Sequence, residues 1–120
     1  MQLSQLYRRG VVRPLDDCAA RQLANFDIET TIRVEWLAVI NDEQFSRIWQ
    51  AGIFQRINDA CGTEISDYEE TELVANQIGR ALSSMRGLTA TNHSVSVFVE
   101  NLDALFSEAL VMNNNVYFVF

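Results

Sequence analysis

Residues 116–120 are apolar without a break: Val116, Tyr117, Phe118, Val119 and Phe120. A segment that hydrophobic does not dangle in water, so it is expected as a strand inserted into a sheet. Its expected neighbour is residues 31–40. There Ile32, Val34 and Trp36 alternate with Thr31, Arg33 and Glu35, the period of a half-buried strand. From Trp36 to Ile40 both faces turn apolar, which predicts cover on both sides. A chain organised around a sheet must cover it, and the remaining segments supply helices.

Leu15, Cys18, Ala19 and Leu23 recur at helical spacing, predicting a helix from Pro14 or just after to about Asn25. Asp16 and Asp17 fall in its first turn, where negative charge suits the helix dipole. Val11 and Val12 read as the lead into it. Before them, Leu3, Leu6 and Tyr7 suggest a short helical turn over residues 2–9, ended by Gly10. Asn41 or Asp42 can start a further helix whose stripe is Phe45, Ile48, Trp49 and Gly52. Apolar spacing continues through Ile53, Phe54, Ile57 and Cys61. An unforced glycine inside a helix costs about 1 kcal/mol relative to alanine, so Gly52 predicts a bend or break. Gly62 predicts a left-handed terminator. Trp36 and Trp49 are both expected in the core.

Five acids follow within nine residues: Glu64, Asp67, Glu69, Glu70 and Glu72, with Tyr68 among them. Ser66 and Glu69 fit a capping box, so this run is expected to open another helix. Its apolar face would be Leu73, Val74, Ile78, Ala81, Leu82 and Met85, with Gly87 as its end and a turn over residues 88–92. A last long helix, capped at Ser94 or Ser96, would bury Val95, Val99, Leu102, Leu105, Phe106, Ala109 and Leu110. The alternation of Val95, Val97 and Val99 leaves a short strand open for its start. Asn113, Asn114 and Asn115 are turn material.

The expectation is thus one α+β domain over residues 1–120: a small sheet of two to four strands covered by three or four helices. A chain of 120 residues with 48% hydrophobic content is long enough to bury roughly two-thirds of its unfolded surface. No run approaches the ~18–20 apolar residues of a membrane span. The first ten residues lack the apolar core of a signal peptide, and a cytoplasmic location is expected.

The net charge is −7 and lies unevenly. Residues 1–21 carry +2, from Arg8, Arg9, Arg13 and Arg21 against Asp16 and Asp17, and the other 99 residues carry −9. Phosphate would be repelled by such a body, which argues against nucleic acid and anionic membranes and favours a basic protein partner, or no charged partner at all. All nine basic residues are arginine, which suits bidentate carboxylate pairing or simply reflects genome composition.

Chemistry finds little purchase. Cys18 and Cys61 are the only cysteines, and with the single histidine, His93, they form no zinc pattern. Both are expected as buried free thiols, and no metal or cofactor is expected. His93 stands among Thr91, Asn92 and Ser94, which reads as an exposed loop. Asp67 and Glu70, with Glu64, could approach one another closely enough for paired-carboxylate catalysis, but no partner histidine or motif supports that use. Phosphate-cradling glycine loops are absent. No catalytic residue is assigned. The residues singled out are Glu64, Asp67, Tyr68, Glu69, Glu70 and Glu72, as a surface whose acids steer a basic partner and whose tyrosine anchors it.

Three stretches carry a family likeness. Phe45, Ile48, Trp49, Gly52, Phe54, Ile57 and Asn58 form the first; Gly62, Ile65, Asp67, Tyr68, Glu69 and Glu70 the second; Val116 to Phe120 the third. Together they resemble small bacterial immunity proteins that accompany polymorphic or contact-dependent toxins. The likeness covers about the C-terminal two-thirds of the chain. It implies a non-enzymatic protein that binds and blocks a cognate toxin, often a nuclease. No contact residues carry over, so the acidic surface rests on charge alone. The alternative is a small adaptor, regulatory or self-associating domain, with homo-oligomerisation through an apolar face such as Phe54 and Trp49.

Overall fold

A computed structural model describes residues 9–25, 27–39, 41–66, 70–86 and 93–120. The expected helical turn over residues 2–9 lies outside these but for Arg9, as do Gly87 and residues 88–92. Among the described residues four antiparallel strands form one sheet: β1 (Gly10–Pro14), β2 (Val34–Ala38), β3 (Glu70–Leu73) and β4 (Val116–Val119), in the order β2-β1-β4-β3. Five α-helices among the described residues accompany it: α1 (Asp17–Asn25), α2 (Asp42–Gln50), α3 (Ile53–Cys61), α4 (Ile78–Met85) and α5 (His93–Met112). The α+β class follows directly. No helix among the described residues is long and apolar enough to cross a membrane.

The apolar segment 116–120 is a strand, but not beside residues 34–38. It lies between β1 and β3. The reason is its two apolar faces, which need cover on both sides and ladder partners on both edges. Val116, Phe118 and Phe120 enter the larger core with α2, α3, α4 and α5, while Tyr117 and Val119 enter a smaller one with Ala19 and Leu23 of α1. β2 is instead an edge strand. Its residues are half-buried, and Trp36 is 42% exposed rather than in the core.

β1 was not expected as a strand. Val11 faces the larger core and Val12 the smaller. Pro14 is tolerated because the ladder to β4 uses only Gly10, Val11 and Val12, so its missing N–H interrupts no bond there. The helix expected from Pro14 therefore begins later, at Asp17. Asp16 caps it, its Oδ1 accepting from the Ala19 amide at 2.7 Å. That shift leaves Leu15 45% exposed.

Between the two expected caps of α2, Asn41 is the one used, accepting from the Gln44 amide at 2.8 Å. Gly52, at φ +83°, breaks α2 from α3 as expected. Phe54 follows at the centre of an aromatic cluster with Phe45, Trp49, Phe98, Phe118 and Phe120, the closest ring at 4.9 Å. Such rings contribute through area and edge-to-face geometry together. Since Phe54 is fully buried, no homo-oligomer face can be built on it.

α5 is helical from His93, so Ser94 and Ser96 lie inside it rather than at its cap, and the strand reading of Val95–Val99 fails. Ser94 Oγ accepts from Gln44 Nε2 at 3.1 Å, tying α5 to α2. Phe98 joins the buried face, whereas Leu110 is 49% exposed. Arg13 is buried across the sheet, its Nε donating to Glu35 at 2.9 Å and its Nη1 to Asn114 Oδ1 at 3.2 Å.

Candidate partner-binding surface

Two anchors flank the acidic run. The first is the end of α3, where Gly62 turns the chain at φ +67° and donates to the Asn58 carbonyl at 2.8 Å. The Asn58 side chain then holds the next residues. Its Oδ1 accepts from Thr63 Oγ1 (2.9 Å) and from the Ile65 amide (2.8 Å), and its Nδ2 donates to the Ile65 carbonyl (3.1 Å). Asparagine suits this because one short amide can replace several backbone partners in a turn. Ile65 is 1% exposed, so it pins the loop from below while Glu64 stays outside.

The second anchor is β3. Glu70, Thr71, Glu72 and Leu73 stand opposite Val119, Phe118, Tyr117 and Val116. The expected helix start is therefore a strand, and helix begins only at Ile78, after a 3-10 turn over Ala75–Gln77. The expected capping box of Ser66 and Glu69 lies outside the described residues but for Ser66, and over Glu70–Leu73 tertiary pairing prevails over helix, because β4 needs a partner on this edge. The strand alternates accordingly. Leu73 is fully buried in the larger core, while Glu70, on the other face, is exposed.

Asp67, Tyr68 and Glu69 lie outside the described residues. Glu64 and Glu70 bracket them as exposed carboxylates. Glu72 has a different role. Half-buried, it shares a side-chain hydrogen bond with Tyr117, whose hydroxyl is pushed up to about 12, chiefly by burial and further by the Glu72 charge. Asn115 opposes that shift with a hydrogen bond of its own to Tyr117. Its Oδ1 accepts from the Ala75 amide at 2.9 Å, which joins the end of β3 to the turn before β4. Glu72 thus helps to hold the sheet edge in place.

The other candidate groups do not converge. His93 is exposed, but opens α5 rather than lying in a loop. Both cysteines are free, yet Cys18 is exposed rather than buried, and burial pushes the Cys61 thiol up. Among the described residues no three His, Cys, Asp or Glu side chains gather where they could hold a metal ion. Two depressions of about 120 Å³ each, one lined by Asn41, Glu43, Gln44, Arg47 and Ser94 and one by residues including Tyr117 and Asn113–Asn115, are smaller than the ~300 Å³ at which ligand pockets begin.

Sequence reasoning missed a cluster of exposed apolar residues: Leu110, Val111 and Met112 at the end of α5, at 49%, 78% and 58% exposure. Val74, just after β3, is also exposed. The available signal was three apolar residues directly before three asparagines. A helix ending there cannot turn consecutive residues to one face.

No protein-family model, curated protein or solved structure matches this chain.

Proposed function

We propose that this protein is a non-enzymatic inhibitor of the immunity type, which binds and neutralises a basic toxin domain such as a nuclease through the carboxylates of residues 64–72. The observation that carries the reading is the double anchoring of that run. Asn58 holds one end and the β3–β4 ladder the other, so Glu64 and Glu70 are presented from fixed backbone. Fixed charges need less ordering on association, and a body of net charge −7 draws a basic partner toward them. The sequence likeness to immunity proteins points the same way.

The test begins with the tagged protein as bait in extract of its native source, with one stoichiometric basic partner expected. Changing Asp67, Glu69 and Glu70 together to alanine should slow association about tenfold or more at low salt. The difference should shrink as salt approaches ~0.5 M, where exposed charges are screened. An association rate unchanged at low salt overturns the reading.

A further inference from the structure

We infer that the last turn of α5 is the apolar anchor of this inhibitor's interface, seating Val111 and Met112 in an apolar pocket on the same basic partner. The inference rests on the inhibitor reading above and deepens it by assigning the contact that resists dissociation.

Three independent features carry it. The first is exposure: Leu110, Val111 and Met112 face solvent at the end of a helix whose earlier large apolar residues are mostly buried.

The second is rigidity. The Asn114 amide donates to the Ala109 carbonyl at 2.9 Å and the Asn113 amide to Leu110 at 3.4 Å, with Asn113 left-handed at φ +55°. That is a Schellman ending, which closes the helix without fraying. The asparagines after it are held in turn, Asn114 by Arg13 and Asn115 by Ala75. A turn fixed from both sides loses little freedom on binding.

The third is continuity. The Ala75–Asn115 bond places this turn beside the end of β3, so exposed Val74 adjoins it, and Glu72 and Glu70 follow along the strand. Gly79 of α4 adds to the contact, since a Cβ there would lie 3.8 Å from Leu110 Cδ1. An apolar centre beside a charged rim is the ordinary anatomy of a protein interface.

Charge selects the occupant. A second copy would bring two bodies of net charge −7 together, whereas a basic protein gains from the same field. A basic partner is therefore the one that fits.

The variant Val111→Ser/Met112→Gln tests this without altering charge. It is compared with wild type and with Glu64→Gln/Glu70→Gln as tagged bait in native extract at low and high salt, and then by surface plasmon resonance against the purified basic partner. The expected result is dissociation at least about tenfold faster for Val111→Ser/Met112→Gln at every salt, with an unchanged association rate and melting temperature. The acid variant should lose association rate at low salt only. Wild-type dissociation by Val111→Ser/Met112→Gln overturns the inference while leaving the inhibitor reading intact. If no stoichiometric basic protein is retained by wild type, both fall. Sedimentation velocity of the purified chain supplies the last arm: a monomer is expected, and a dimer that this variant disperses assigns the turn to self-association and overturns the inference.

Discussion

At the residue scale, Tyr117 shows how one buried group sets an alkaline limit on stability. Its hydroxyl titrates at about 12 in the folded chain, against about 10 when unfolded. Because the folded state keeps its proton longer, the stabilisation is complete below pH 10 and is lost as pH rises through 10 towards 12. The loss is at most about 1.4 kcal/mol per pH unit across that window. Urea unfolding between pH 8 and 11.5 should show this decline in wild type and a flatter profile in Tyr117→Phe. Glu72→Gln should move the Tyr117 titration down, read as the phenolate absorbance that Tyr117→Phe abolishes. Trp36 teaches a different lesson at the same scale. Its apolar character suited a core position, but β2 has one ladder partner among the described residues, and the indole lies so close against Gly10 that a Cβ there would overlap it. Hydropathy alone does not report which strand ends at an edge.

At the element scale, what was legible depended on length and punctuation. α3 and the junction before it were readable because Gly52 and Gly62 each adopt the left-handed backbone that predicts a break. α5 was readable from its long apolar periodicity. β1 and β3 were not, because five and four residues carry too little pattern, and their conformation is decided by pairing with β4. The same limit blurred the candidate site: its acids were visible in composition, but the placement of Glu70 and Glu72 on an edge strand was not. Asn58 was legible only as part of a family likeness, and the structure gives it a mechanical task. Asn58→Ala should remove the three bonds that shape residues 63–65, destabilising the protein by about 1–3 kcal/mol. Amide exchange at Ile65 should rise with it, measured by hydrogen–deuterium exchange. A variant whose Ile65 amide stays protected would show that the buried Ile65 side chain alone holds the loop.

At the scale of the whole molecule, the described residues cover the sheet unequally, with α1 on one face and α2, α3, α4 and α5 on the other. Its radius of gyration of 13.5 Å is what a well-packed chain of this length shows, about 13.6 Å. Phe54 joins α2, α5 and β4 through its ring contacts, so Phe54→Ala should cost about 3–5 kcal/mol. That is a large share of the ~5–15 kcal/mol that holds most domains folded. Thermal unfolding should show a much lower midpoint, and a shift of only a degree or two would mean that the cluster repacks around the gap.

The position of β4 bears on how the chain is made. β1 and β3 both pair with it, and neither pairs with the other. On a ribosome, β1 emerges about a hundred residues ahead of the strand it must meet, so closing that loop is both late and entropically expensive. Until Val119 has left the exit tunnel, β3 has no ladder to join and the valines of β1 have only β2 beside them. The nascent chain therefore carries half a sheet with an open, apolar edge, a state that invites pairing with other chains.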